Sequence, residues 1–167
     1  MNMAPEFDPT AENQRIYRDA LGCFATGVTV ITASTASGPI GMTANSFSSI
    51  SLDPPLVLWS AAKNSQRYPF FAAATRFAIH VMRDDQKALA LEFARRGDAF
   101  DQTKWHSGAY DVPLIDICLA RFECRTQAVH DGGDHAIVVG EVTHVTLNDG
   151  APLVFAQRAF GGFTPEA

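Results

Sequence analysis

Residues 41–65 gather hydroxyl, amide and ammonium groups on either side of a Pro-Pro pair, an arrangement suited to holding a ligand that is planar at one end and anionic at the other. Thr43, Asn45, Ser46, Ser48, Ser49 and Ser51 are interleaved with Met42, Ala44, Phe47 and Ile50. A strand through this segment projects part of the hydroxyl set to one face. Beyond Pro54 and Pro55, Ser60, Lys63, Asn64 and Ser65 fall where an apolar strand pattern gives way to a helical one. Unpaired backbone N–H groups at a helix start favour a phosphate, and Lys63 adds a full positive charge. The same residue types also serve as caps, turn formers and solvated strand positions, and spacing alone leaves both uses open.

Three other groups could do chemistry. His135 follows Gly133 and Asp134 in a turn-forming stretch, a placement shared by catalytic histidines and by ordinary surface turns. Arg95 and Arg96 close a helical pattern, where two cations either satisfy the helix dipole or present planar forks to a phosphate. Trp59, on an apolar strand, reads as core, whereas Trp105, in an irregular stretch, could cover a ligand. Phe160-Gly161-Gly162-Phe163 allows a tight turn or a close backbone approach, with Arg158 just before it.

The elements that must position these residues are mostly strands. Ile16, Ala20, Leu21 and Phe24 recur at helical spacing with Gly27 placed to stop the helix. Val28–Thr35 and Ile40–Ser49 read as a hairpin around Ala36-Ser37-Gly38-Pro39, and Leu56–Ser60 as a buried strand. A short helix over Ser65–Ala74 is followed by a strand at Phe77–Met82. A second helix is expected with Asp84 or Asp85 as its cap and Ala88, Leu89, Leu91 and Phe93 inward. Residues 98–116 read as a long irregular connection, which in a compact domain is usually functional or a cover. Cys118–Val129 and Ala136–Leu147 read as two long strands joined by a turn over residues 130–134, and Leu153–Gln157 as the last strand. Six or seven strands without a βαβ rhythm predict an antiparallel β-barrel with flanking helices. Residues 1–8 are expected to form a flexible arm and 9–167 a single domain.

Length and composition narrow the function classes. A chain of 167 residues can bury a sizeable core in one domain. Net charge is −5 and the basic residues are scattered, which disfavours a nucleic-acid-binding surface. No apolar run approaches the ~20 residues of a membrane span, and the N-terminus has no basic or apolar leader, so a cytoplasmic protein is expected. The three cysteines, Cys23, Cys118 and Cys124, form no Cys-x-x-Cys pair and read as buried thiols, with Cys118 and Cys124 on one strand face. The five histidines show no zinc-ligand spacing, so no metal is expected. A Gly-x-Gly-x-x-Gly turn is also missing, so any nicotinamide chemistry needs a scaffold other than a Rossmann fold.

Four landmarks then occur in order: Phe24-Ala25-Thr26-Gly27-Val28-Thr29-Val30; Gly41-Met42-Thr43-Ala44-Asn45-Ser46-Phe47 with Ser51-Leu52-Asp53-Pro54-Pro55; Gly133-Asp134-His135; and Phe160-Gly161-Gly162-Phe163. Across roughly residues 15–163 the chain resembles the flavin reductase-like family, the short NAD(P)H:flavin oxidoreductases that partner two-component monooxygenases. The resemblance implies a Greek-key split β-barrel of the FMN-binding type, usually a homodimer with flavin near the subunit interface. It implies FMN, or FAD or riboflavin, as flavin and NADH, or NADPH, as reductant. Reduced flavin would go to a partner monooxygenase or to an acceptor such as a ferric complex. By the same resemblance Met42, Thr43, Ala44, Asn45 and Ser46 line the flavin ring, and Ser60, Ala61, Lys63, Asn64 and Ser65 approach the ribityl phosphate. Phe93 is a ring contact, and His135 positions the nicotinamide, with proton supply near flavin N1 or N5 as a secondary role. Of the two arginines, Arg95 is the one expected, from its own chemistry, to bind the NADH pyrophosphate or the FMN phosphate. Relatives more often carry a tyrosine near Phe160, so a hydroxyl contact there is not carried over. Two rivals remain: a non-catalytic flavin- or haem-binding split barrel, and a pyridoxamine-phosphate-oxidase-like enzyme, for which the chain lacks a dense basic cluster.

Overall fold

The computed structural model describes residues 6–166. Its helices are α1 (Gln14–Leu21), α2 (Tyr68–Ala73) and α3 (Lys87–Arg95). Its strands are β1 (Thr26–Gly27), β2 (Thr29–Thr35), β3 (Gly38–Ala44), β4 (Ser48–Leu52), β5 (Pro55–Ala62), β6 (Arg76–Val81), β7 (Trp105–Ser107), β8 (Pro113–Ile115), β9 (Ala120–Gly132), β10 (His135–Leu147), β11 (Leu153–Ala156) and β12 (Ala159–Gly162). Seven strands form one antiparallel sheet in the order β3-β2-β6-β9-β10-β5-β4, while β1, β11 and β12 form a second sheet and β7 pairs with β8. The expected mainly-β split barrel is thus present, with several short strands beyond the six or seven anticipated. Of the arm assigned to residues 1–8, residues 1–5 lie outside the described residues, and 6–8 carry no regular structure.

The closure of this sheet follows from one break in the chain. Its two edge strands, β3 and β4, are consecutive in sequence, separated by Asn45, Ser46 and Phe47 alone. The sheet therefore rolls until its edges meet at these three residues. A single strand from Ile40 to Ser49, as the sequence pattern suggests, is replaced by two strands on opposite edges. At the seam the Ser60 N–H donates to Ser46 Oγ at 2.8 Å, and Ser46 Oγ donates to the Ser60 carbonyl at 3.2 Å, joining the break to β5.

Alternation along the strands fills the barrel. Val57, Trp59 and Ala61 on β5 and Ala136 and Val138 on β10 are buried, while Leu58, Ser60 and Ala62 are less so. Inside, Trp59 meets Phe71 edge-to-face at 5.3 Å and Phe77 at 6.2 Å, which makes it a core residue as the pattern predicts. A second cluster, around Val30, Met82, Ala90, Phe93, Phe100 and Ile115, glues α3 to the outside of the barrel. Cys124 belongs to the first cluster and Cys118 to the second. Cys118 precedes β9, so the expectation that both thiols share one strand face is overturned.

Three helix expectations shift for local reasons. α1 stops at Gly22, before Phe24, and none of its residues is buried. α2 begins at Tyr68, not at Ser65, because Pro69 is tolerated only in a first turn. α3 is preceded by a 3-10 turn over Asp84–Gln86 in which Gln86 Oε1 accepts the Arg83 N–H at 2.9 Å, while Asp85 is drawn to the Arg83 guanidinium at 2.7 Å. Neither aspartate caps the helix. Ala90 and Phe93 are its buried residues, and Ala88 and Leu91 face solvent. The connection at 98–116 carries more structure than expected, because its backbone groups find partners in β7, β8 and two 3-10 turns. Among the described residues no helix is long and apolar enough to cross a membrane.

Candidate active site

The seam brings the two hydroxyl clusters together, since the β4–β5 hairpin folds Ser46 onto Ser60. Asn45, Ser46 and Phe47 have no ladder partner on either side, and the exposed Asn45 amide opens on a cleft of about 800 Å³. Thr43 faces the other way: its hydroxyl donates to the Ala90 carbonyl at 2.5 Å and ties α3 to β3. Met42 and Ala61 are buried, so they can present only backbone to a ligand. Ala44 is half-buried against the barrel core, its carbonyl accepting from Thr29 Oγ1 at 2.7 Å.

The segment after β5 meets the Gly-Asp-His turn. His135 pairs with Ala62 across β10 and β5, so the turn and the Ser60–Ser65 stretch form one surface. Lys63 binds the turn through three groups. Its N–H donates to the Asp134 carbonyl at 2.9 Å, and its ammonium donates to the Gly133 carbonyl at 2.6 Å and to the Asp131 carboxylate. The Lys63 charge is therefore already shared with a carboxylate, not free as anticipated. Its hydrogen bond, and then its charge, hold the Asp131 carboxyl below the usual carboxylate range.

Gly133, at φ 81°, makes the sharp turn, and His135 Nδ1 lies 2.7 Å from Asp134 Oδ1. That bond fixes the imidazole by one nitrogen and leaves Nε2 for a ligand. The imidazole's hydrogen bond and charge also keep the Asp134 carboxyl below its ordinary range. Ser65 shapes the next turn: its hydroxyl accepts the Arg67 N–H at 3.2 Å, and its carbonyl accepts the Tyr68 N–H at 3.0 Å. Asn64 is exposed beside it. With the helix start displaced to Tyr68, no helix dipole acts at Ser65.

Arg67 was not singled out by the sequence, yet it locks this wall. Its guanidinium donates to the carbonyls of Gly41 at 3.1 Å, Phe93 at 2.5 Å and Ala94 at 2.8 Å. It thereby satisfies two terminal carbonyls of α3 and joins them to β3. Partial burial lowers its pKa, although a guanidinium stays charged. Only the spacing of an arginine two residues after a turn serine hints at this role, and its partners are too distant in sequence to be read.

Phe93 is fully buried and stands against Gly41, where an added Cβ would strike its ring. It supports the backbone of the site from beneath. Arg95 is exposed, 3.5 Å from Glu92, and lines a separate cleft with Gln102, Thr103 and Ile117. It is not brought to the other candidates. Arg96 is held by Glu92, Asp98 and Asp101, the last at 2.5 Å. Trp105 packs edge-to-face on Phe100 at 5.1 Å and covers the second core cluster. Phe160 packs on Phe155 at 5.1 Å. Among the described residues no group of three or more His, Cys, Asp or Glu converges as a metal site would require.

The donor set fits a flavin. An unladdered backbone segment, an amide carrying both donor and acceptor, and hydroxyls leading to an ammonium match a ring edge, a ribityl chain and a phosphate in turn. The profile described as "Flavin reductase like domain" matches residues 21–164. The chain belongs to the flavin reductase-like family. It is 58% identical to FMN reductase (NADH) SmoA of Agrobacterium fabrum over 95% of this chain and 91% of that protein. It is 47% identical to the reductase component of the flavin-dependent trigonelline monooxygenase of Acinetobacter baylyi, over 90% of this chain but only 49% of that longer protein. The structure of the Streptomyces globisporus NADH:FAD oxidoreductase SgcE6 superposes with a TM-score of 0.90 at 37% identity, covering 100% of this chain and 96% of that one. The flavin reductase fold thus extends over the whole described chain.

Proposed function

We propose that this protein is an NADH-dependent flavin reductase that transfers hydride from NADH to FMN, accepting FAD or riboflavin as well. The single observation carrying this reading is the union of the two motifs through Lys63 and His135, which makes the hydroxyl-rich wall and the Gly-Asp-His turn one site. When bound, FMN supplies the two-electron acceptor for the nicotinamide hydride. The chain's own residues bind and orient. Asn45 and the backbone of Met42–Ser46 hold the ring edge, with Ser46 and Ser60 fixing the seam behind it. Ser60, Ala61, Lys63, Asn64 and Ser65 follow the ribityl phosphate, Lys63 exchanging its Asp131 contact for a phosphate oxygen. His135, steadied by Asp134, offers Nε2 to the nicotinamide carboxamide. Hydride transfer depends on holding the reacting atoms within about 3–3.5 Å, so positioning is its main contribution.

The relation to a reductase component favours delivery of reduced flavin to a partner monooxygenase. A homodimer accounts for the apolar surface left open by one copy: Ile50 and Leu52 on the edge strand β4, the latter 96% exposed, and Ile16 and Tyr17 on α1. Free thiols at Cys23, Cys118 and Cys124 suit the reducing cytoplasm, where NADH is available. Anaerobic mixing of the protein with FMN and NADH tests the core of this reading. Bleaching of the visible flavin absorbance, scaling with protein concentration, is expected. Binding of flavin without bleaching would instead identify a non-catalytic flavin carrier.

A further inference from the structure

On the side of the barrel away from the seam, β7, β8 and the 3-10 turn between them (Ala109–Asp111) form an arm over the outer face of β6, β9 and β10. β9 is the middle strand of the seven, so this face lies opposite the β3–β4 closure. A cleft of about 540 Å³ opens between arm and sheet, with Arg76, Tyr110, Val112, Leu114, Arg121 and Glu123 in its walls. None of its residues belongs to the flavin site. Its volume lies within the range of about 300–1,000 Å³ typical of small-molecule sites.

Charge in this cleft is incompletely matched. Alternation along β9 turns Phe122 and Cys124 to the barrel core and Arg121 and Glu123 outward. The Arg121 side chain is 11% exposed, yet its guanidinium donates only to the Ile115 carbonyl at 3.3 Å and the Thr146 hydroxyl at 3.2 Å. Its buried Nε has no hydrogen-bond partner, and a Glu123 carboxylate oxygen stands 3.7 Å away, beyond hydrogen-bond reach. Arg76 has no carboxylate partner among the described residues, and its guanidinium lies 3.8 Å from the centre of the Tyr110 ring. Arg125, opposite Arg76 on the β6–β9 ladder, is already taken up by Glu141 at 2.5 Å. With the exposed His106 and His144 counted as neutral, two arginines against one glutamate leave one positive charge in the cleft.

Three hydrogen bonds fix the arm. Thr32 Oγ1 donates to the Pro113 carbonyl at 2.5 Å, Ser34 Oγ donates to the Asp111 carbonyl, and the Ile115 N–H donates to His80 Nε2 at 3.0 Å. Beside these ties Tyr110 and Asp111 take φ of 59° and 60°, a left-handed backbone that a bulky aromatic rarely adopts. Such conformations persist where the surroundings over-determine them, and they cluster at ligand clamps. Here the conformation sets the Tyr110 ring over Arg76 while leaving the residue 72% exposed, so burial of the ring does not account for it.

We infer that this cleft is a second ligand site that binds a small organic monocarboxylate. The carboxylate pairs with the Arg76 fork, Arg121 is the second positive group, and the apolar body of the ligand lies against Tyr110, Val112 and Leu114. A guanidinium stacked on a ring is held flat and offers two parallel N–H groups to a carboxylate. One net positive charge matches a monoanion, and the Glu123 carboxylate disfavours a dianion such as a phosphate ester. Val112 and Leu114 are themselves buried and give the ligand an apolar floor. The site stands apart from the flavin reductase reading, since it shares no residue with the flavin wall or the Gly-Asp-His turn.

The test titrates benzoate, and benzamide as its uncharged match in shape, into the isotope-labelled full chain with and without saturating FMN. Benzoate should shift the amide resonances of Arg76, Tyr110, Arg121 and Glu123 saturably, with a dissociation constant of about 1 mM or below, ordinary for a ligand of this size. Benzamide should bind about tenfold more weakly, and Arg76→Gln should weaken benzoate by about tenfold. Arg76→Lys, which keeps the charge without the fork, should recover only part of that loss. Tyr110→Leu serves as a second variant if Arg76→Gln impairs folding, with a loss of about threefold expected when the ring no longer holds the guanidinium. Equal affinities for benzoate and benzamide overturn the inference. Shifts centred on residues 45–65, shifts abolished by FMN, or no saturation by about 20 mM benzoate overturn it as well. Should FMN itself fail to bind, the flavin reading fails, and the benzoate titration still decides the cleft.

Discussion

The ammonium of Lys63 donates to the carbonyl oxygen of Gly133 at 2.6 Å, so a residue expected to anchor phosphate also buttresses the turn that presents His135. Under the proposed function, phosphate binding and presentation of the imidazole are therefore coupled through one side chain. Lys63→Ala should weaken FMN binding and also slow its reduction by NADH. His135→Ala should slow reduction by about tenfold or more while leaving FMN affinity nearly intact, as expected for loss of positioning. Stopped-flow traces at fixed NADH, with fluorescence titration of FMN, separate the two. Normal reduction kinetics for Lys63→Ala at saturating FMN would uncouple the turn from the lysine.

Ser65 and Lys63 differ in the hydrogen-bonding capacity they would offer the phosphate of the proposed flavin site. The Ser65 hydroxyl is engaged only as an acceptor from Arg67 N–H and keeps its own proton to donate. Ser65→Ala should weaken FMN more than riboflavin, which has no phosphate, and the loss should be about that of one hydrogen bond to a charged group, ~1.5–3 kcal/mol. Equal losses for the two flavins would remove the phosphate from this end of the site.

Much of this site was legible because its residues are near neighbours in sequence. The Thr43–Phe47 segment, the Asp53-Pro54-Pro55 turn and the Gly133–His135 turn are each contiguous, and local turn chemistry is what a sequence displays best. The hairpin of β2 and β3 was equally plain from Ser37-Gly38-Pro39. Illegible were the features made by closure. That Asn45–Phe47 is a seam, not the middle of a strand, depends on which strands become the sheet edges. That Phe93 lies under Gly41 depends on α3 docking on β3, whereas the start of α2 at Tyr68 follows from Pro69, a local feature the sequence does display. Arg67 depends on the same docking, since its partners come from β3 and from the end of α3.

Arg67 gives a direct test of how that wall is held. Arg67→Met keeps much of the stem but abandons three carbonyls, and it should cost about 2–4 kcal/mol in urea unfolding, given the strength of hydrogen bonds to a charged donor. Arg67→Lys should recover only part, because a compact ammonium lacks the fork that reaches Gly41, Phe93 and Ala94 together. Full recovery by lysine would mean that charge alone matters there.

Gly41 and Phe93 offer a paired test. Alanine at 41 drives a methyl into a ring that is itself fully buried and packed edge-to-face on Phe100 at 5.0 Å. Overpacking of this kind costs about 1–3 kcal/mol. Phe93→Leu also destabilises by itself, but the double variant Gly41→Ala/Phe93→Leu should be more stable than the sum of the two losses allows, because the smaller side chain makes room for the methyl. Additive losses would show that the strain is relieved elsewhere.

His80 contributes to the pH dependence of stability. The Ile115 N–H donates to His80 Nε2 at 3.0 Å, so Nδ1 carries the proton and donates to the Val30 carbonyl at 3.0 Å. Burial, assisted by the charge of Arg121 and opposed by the bond to Val30, lowers the pKa from 6.5 to about 3. Above pH 6.5 the ring is neutral in both folded and unfolded chains, and its contribution is fully present. As pH falls toward 3, the unfolded chain gains a proton that the folded ring refuses, so stability declines by about 1.4 kcal/mol per pH unit from this group. His80→Leu removes the titration and strands two buried backbone groups, which should cost about 2–5 kcal/mol at neutral pH. Its deficit relative to the wild type should then shrink steadily in acid when both are unfolded in urea at neutral and at two acidic pH values. Parallel curves for the two proteins would assign the acid sensitivity to other groups.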